Sequence, residues 1–242
     1  MNAWGDSDKG RVRKQNQDSH YLDVQSEYAV LIVCDGMGGA KAGNIASRLA
    51  TDTVSSELKS VIKPNMSARS LKQALELAIY HANRTVWDLS KTNMDYKGMG
   101  TTLVCAVITA RAAYVANIGD SRAYIISDDG IRRVTRDHSV VEDLLHQGTL
   151  TDEEARAHPK KNLITRVLGT EMDVACDIYE IEPKPGDFLL LCSDGLTNIV
   201  DDQEILYEVI HGGAVESCCN RLVTLSNTRG GPDNITVALL SV

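Results

Sequence analysis

The chain has 242 residues, 43% of them hydrophobic and 24% charged, which suits a folded unit with a sizeable core and excludes global disorder. With 25 Lys and Arg against 33 Asp and Glu the formal charge is −8, so nucleic acid is excluded as the main partner. The N-terminus has no secretory h-region and no run of about 18 apolar residues occurs, so the chain reads as cytoplasmic and without a membrane anchor. The five prolines are dispersed and nothing resembles a linker, so residues 1–242 read as a single domain, taken to be a monomer.

Residues 28–34 (YAVLIVC) form the first strand-like run. Two one-sided helices are expected next. Over 44–62, Ala46, Leu49, Ala50, Thr53, Val54, Leu58 and Val61 keep a three-to-four spacing until Pro64; over 68–90, Leu71, Ala74, Leu75, Ala78, Ala82, Val86 and Leu89 do the same. Strands are expected over 101–109, 112–118 and 122–127, all rich in β-branched or aliphatic residues. Residues 137–169 are more polar and read as a small flap, with short helices at 140–146 and after the capping box Thr151-Asp152-Glu153-Glu154. A strand at 188–192 (FLLLC), helices at 202–210 and 215–225, and a final strand at 235–242 complete the chain. Strands and helices are therefore grouped rather than alternating, which predicts an α+β class with antiparallel sheets and helices packed outside. The six cysteines show no C-x-x-C spacing and read as reduced core residues.

The aspartates carry the chemistry. Asp35 ends YAVLIVC and precedes Gly36, Asp194 follows FLLLCS and precedes Gly195, Asp120 follows AAYVANIG, and Asp233 immediately precedes ITVALLSV. Acids at strand ends can be aimed into one cleft, and glycine beside them lets backbone and ligand approach. Gathered carboxylates repel one another, so such a group implies bound cations, and an all-oxygen donor set favours Mg²⁺ or Mn²⁺ over zinc. Two such ions about 3.5–4 Å apart can generate a nucleophile from water and clamp an in-line displacement at phosphorus, which is phosphate-ester hydrolysis. Any single Asp-Gly pair reads as a plain turn; the constellation is what matters.

These residues lie in segments running the length of the chain: GRVRKQNQD (10–18), VCDGMGG (33–39), MGTT (99–102), IGDSR (118–122), DHS (137–139), SDGLT (193–197) and GPDNIT (231–236). In order and spacing the set resembles the PPM/PP2C family of metal-dependent Ser/Thr protein phosphatases, in its short bacterial form. The resemblance implies an αββα sandwich of two antiparallel β-sheets flanked by helix pairs. It also implies hydrolysis of phosphoserine and phosphothreonine by a metal-activated water at a binuclear Mn²⁺ or Mg²⁺ centre, with a third, weaker ion. Asp35 would bridge the two core ions, with the Gly36 carbonyl on one of them and Asp194 and Asp233 on the other. Asp18 would contact the ions through water, and Asp120, with Asp194, would hold the third. Arg13 matches the arginine that pairs with substrate phosphate, as its planar fork of donors suits; Arg11 and Lys14 read as surface cations.

The partners implied are phosphoprotein substrates and a bacterial Ser/Thr kinase whose targets the enzyme would dephosphorylate. Two residues depart from the family pattern. Gln17 stands where many members have an acid, and Met37 where many eukaryotic members have a histidine proposed as general acid. His138 reads as a structural residue at the base of the flap. The alternative is a catalytically weak or inactive PP2C-like module that binds phosphoproteins; loss of Asp35, Asp194 or Asp233 would mark it, and all three are present.

Overall fold

The computed structural model describes residues 1–242, with the side chains of all but residues 40, 41, 152, 156 and 157. Its strands form two antiparallel sheets. One runs in the order β1 (Asn2–Asp8), β11 (Ile235–Ser241), β10 (Phe188–Cys192), β7 (Arg122–Ser127), β8 (Gly130–Arg133). The other runs β2 (Asp18–Val24), β3 (Tyr28–Met37), β5 (Leu103–Thr109), β6 (Ala113–Ile118), β9 (Asp177–Ile181), and the two-residue β4 (Gly100–Thr101) pairs with the end of β3.

The central strands are apolar on both faces because both faces are covered. On β3, Ala29, Leu31 and Val33 point into a core shared with Leu189, Leu191, Ala238 and Leu240 of the other sheet. Their neighbours Val30, Ile32 and Cys34 point the other way, onto α1 (Gly39–Val61) and α2 (Ala68–Ser90) through Ala46, Val54, Leu75 and Ala82. The first sheet is covered in the same manner by α6 (Asp202–Ile210) and α7 (Val215–Thr228), where Ile205, Val209, Cys218 and Leu222 meet Leu190, Cys192, Val237 and Leu239. Strand period two thus serves three cores at once, which is why these segments read as unbroken apolar runs. The architecture is the expected α+β αββα sandwich.

Four strands were not legible in the sequence: β1, β2, β8 and β9. All four are the edges of the two sheets. Edge strands face water and carry charge, as in DSHYLDV and GIRR, so they lack an apolar run. Helix α1 also begins at Gly39, ahead of the expected start at 44, because its first turn sits beside the site and carries no apolar stripe. The expected strand at 101–109 is split at Thr102, whose side chain is given to Asp35. The excursion carrying α3 (Val140–His146) and α4 (Asp152–Ala157) is closed at its base by a bridge between Ser139 and Ile164; it is shorter than the expected 137–169, because Leu168 is already back in the core and bridged to Thr101.

All six cysteines are free, and all but Cys176 are buried. Burial pushes the Cys34 and Cys192 thiols up to about 12, so they are poor nucleophiles. Among the described residues no helix is long and apolar enough to cross a membrane.

Candidate metal centre

Sheet register creates the first contact of the site. Antiparallel pairing of β2 with β3 sets Asp18 directly opposite Asp35. The Asp35 backbone is held on both sides: its N–H donates to Thr102 Oγ1 at 2.9 Å, and its carbonyl accepts from Thr101 Oγ1 and the Thr102 N–H at 2.8 Å. Asp18 is gripped from the other sheet. Its Oδ2 accepts from Ser193 Oγ at 2.8 Å, just past β10, and from Thr236 Oγ1 at 2.7 Å, in β11.

Asp194 opens the single helical turn α5 (Asp194–Thr197), and its Oδ2 accepts from Asn198 Nδ2 at 2.9 Å. Gly195 next to it has no room for a side chain, since a Cβ there would lie 1.9 Å from the Asn234 carbonyl. That close approach draws Asp194 toward Asp233 at the start of β11. Gly36 is under the same constraint against the Gly43 carbonyl of α1, at 2.1 Å. Asp233 Oδ2 accepts from Arg13 Nη2 at 2.7 Å. Asp120 follows β6 and is half-buried.

Asp35, Asp120, Asp194 and Asp233 each keep some exposure, whereas Asp18 is buried. Burial of the carboxyl groups raises four of the acids and their mutual repulsion adds to it: Asp194 to about 6, Asp18 to about 7, Asp120 to about 8, and Asp35 well above the carboxylate range. Asp35 is pushed up by the charges of Asp18, Asp194, Asp120 and Asp233, so it is the centre of the group. Arg13 is the cation in contact with it, and its own proton is held more tightly by Asp233, Asp35 and Asp194.

Three carboxylate oxygens, Asp18 Oδ1, Asp120 Oδ1 and Asp194 Oδ1, are buried without any hydrogen-bond donor. Oxygen atoms left in that condition fit a hard divalent cation, and no His or Cys stands among them to favour zinc. Among the described residues no group of three or more His, Cys, Asp or Glu side chains is arranged to hold a metal ion by itself.

A family model, protein phosphatase 2C, matches residues 9–230. The chain belongs to the protein phosphatase 2C family. It is 40% identical to protein phosphatase PhpP of Streptococcus pneumoniae, over 98% of this chain and 95% of that one. Its fold superposes on serine/threonine phosphatase Stp1 of Staphylococcus aureus with a TM-score of 0.93 at 36% identity, covering 99% and 94% of the two chains. The catalytic domain of the serine/threonine protein phosphatase PstP, solved in complex with two manganese ions, matches at a TM-score of 0.84 and 32% identity over 98% and 96%. This member of the family is accordingly an enzyme, a protein phosphatase of the 2C type.

The structure brings together every acid singled out from the sequence, with Arg13 beside them. Reading the sequence missed the residues that hold them. Ser193, Thr236, Thr102 and Asn198 lie in or next to the motifs, but nothing in a linear pattern says that Ser193 and Thr236 reach Asp18. Gln17, the departure from the family pattern, turns its amide to α1: Nε2 donates to the Gly39 carbonyl at 2.7 Å, and its own carbonyl accepts from the Gly36 N–H at 3.1 Å and from Ser47 Oγ at 2.6 Å. His138 is engaged on both nitrogens, Nδ1 accepting from the Gly119 N–H at 3.1 Å and Nε2 facing Asp177 at 3.2 Å.

Proposed function

We propose that this protein dephosphorylates phosphoserine and phosphothreonine in proteins, depends on Mn²⁺ or Mg²⁺, and opposes a Ser/Thr kinase in a bacterial cytoplasm. Residues 1–242 act as one catalytic unit, with residues 139–164 as its flap. Asp35, the Gly36 carbonyl, Asp194 and Asp233 would hold the core ions. Asp18 would support them through water, and Asp120 with Asp194 would hold a third ion. When bound, divalent cations polarise a phosphoryl oxygen and lower the pKa of water.

The observation that carries the reading is the set of buried, donorless oxygens on Asp18, Asp120 and Asp194 within a group of mutually repelling acids. Ser193 and Thr236 occupy Asp18 Oδ2 and leave Oδ1 unclaimed, so the carboxylate is oriented before any ligand arrives. The Arg13 side chain is 53% exposed and bonds through Nη2 alone, leaving its other N–H groups to receive phosphoryl oxygens. His138 reads as a structural residue because Gly119, Asp177 and Arg166 occupy its nitrogens, and Met37 has no proton to give. A loose phosphoryl-transfer transition state makes little demand for a proton donor to the leaving group.

The test is phosphate release from a phosphothreonine peptide with Mn²⁺, with Mg²⁺ and with EDTA, using Asp194→Asn as the control. Metal-dependent release that disappears in the variant is expected. A folded chain that releases nothing with either metal would instead be a phosphoprotein-binding module.

A further inference from the structure

Residues 9–17 (KGRVRKQNQ) carry four cations, Lys9, Arg11, Arg13 and Lys14, and no acid, in a chain whose net charge is −8. Arg13 is engaged with Asp233. Lys9, Arg11 and Lys14 are exposed. Among the described residues none of these three side chains joins an ion pair or a hydrogen bond, whereas Arg122, Arg133, Arg136, Arg166, Arg221 and Arg229 each face a carboxylate.

The loop that presents them is clamped. Gly10 has φ +77°, and the place of a Cβ is taken by the Asp233 carbonyl at 2.1 Å and the Gly231 carbonyl at 2.7 Å. The Arg11 N–H donates to the Gly231 carbonyl at 2.8 Å. Asn234, next to Asp233, staples the two ends: its Nδ2 donates to the carbonyls of Lys9 and Gln15, both at 2.9 Å, and its Oδ1 accepts from the Gln17 N–H at 2.8 Å. Cations on a fixed loop lose little freedom when a ligand arrives.

We propose that this loop is a docking rim for acidic side chains flanking the phosphorylated residue, so that the preferred substrates are acidic phosphopeptides. The proposal rests on the phosphatase reading above. With Arg13 on the phosphoryl group, Arg11 and Lys14 lie one or two residues away along the loop. That is at most about 7 Å between α-carbons, a span matched by about two residues of an extended peptide. Acids within about three residues of the phosphoresidue therefore meet the unpaired cations. The overall charge of −8 opposes such a substrate at long range, so the attraction has to come from cations close to the phosphoryl group, as these are.

The test compares kcat/KM on two phosphothreonine peptides, identical except that Asp and Glu at the flanking positions are replaced by Asn and Gln, with Mn²⁺ present. The acidic peptide is expected to be favoured about threefold to tenfold at about 0.05 M salt, mostly through KM, and the preference to collapse at about 0.5 M. The double variant Arg11→Gln/Lys14→Gln is expected to bring the ratio close to one, with the neutral peptide as the internal reference for folding. Equal turnover of both peptides by the unmodified enzyme, or a ratio that the double variant leaves intact, overturns the rim and leaves the phosphatase reading standing. No turnover of either peptide or of p-nitrophenyl phosphate defeats the phosphatase reading, and the rim with it.

Discussion

Asp120 and Arg122 are two residues apart and belong to opposite electrostatic regimes. Arg122 meets Asp137 through Nε, 3.0 Å from both carboxylate oxygens, and through Nη2 at 2.7 Å, while Arg133 reaches the same carboxylate at 3.7 Å and Glu142 at 2.7 Å. That cluster, at the base of the flap, extends through Arg136 to Asp143 and balances three cations with three acids. The group around Asp120 holds five acids with Arg13 in contact and Arg122 acting at a distance on Asp120 and Asp194. Burial is comparable in the two places. Charge matched within the fold is structural, whereas charge left unmatched has to be answered by a cation from outside.

The largest expected effect comes from breaking the unmatched cluster at its centre. Asp35→Asn should lower kcat/KM by about three orders of magnitude or more, the scale of the several kcal/mol a metal supplies, and should abolish the rise in Tm on adding Mn²⁺. Turnover within tenfold of the unmodified enzyme would remove Asp35 from the centre. In the matched cluster the damage falls on folding instead. Arg122→Ala leaves Asp137, whose side chain is 7% exposed, without its main partner and should cost about 3–5 kcal/mol in urea unfolding; a variant as stable as the parent would show that the pair is dispensable.

Arg13→Ala should raise KM about tenfold with a smaller change in kcat, because it removes a charge-assisted contact made before the chemistry. Steady-state kinetics with unaltered KM would take Arg13 away from the phosphate. The smallest effect is a pH slope. Asp194, Asp18 and Asp120 are raised to about 6, 7 and 8, so the fold binds their protons more tightly than the unfolded chain does. Their contribution is greatest below the ordinary carboxylate range and is lost as pH rises through those values. With EDTA, Tm should fall on the order of a few degrees between pH 6.5 and 8.5, and Mn²⁺ should flatten the slope. Burial lowers His138, which gives the flap cluster the opposite sign: it loses stability as pH drops below the ordinary histidine range. A metal-free Tm that rises with pH above 7 would contradict the assignment of unmatched acids.

Most central elements were legible because they are buried on both faces and read as apolar runs or one-sided helices. The edge strands were not. β1 (NAWGDSD) forms seven register pairs with β11, yet its own residues are those of a loop, since its stability comes from a neighbour more than 200 residues away. The acids of the site were visible one by one, at the ends of apolar runs beside glycine. The residues that orient them were not, because a serine or threonine in a strand has no linear mark for the partner it will meet.

By itself the sequence determined which segments are apolar on two faces, which acids terminate them, and a motif order that resembles one family; these are properties of neighbours a few residues apart, where side-chain period and chain stiffness dominate. Only the tertiary structure decided that Asp18 faces Asp35 across a strand pair, that Ser193 and Thr236 hold Asp18 from 175 and 218 residues away, and that Arg122 is answered by Asp137 while Asp120 is left to repel Asp194. Those outcomes depend on sheet register and on two sheets closing face to face, and burial, by removing water, then turns the resulting proximities into charges that are either matched or not.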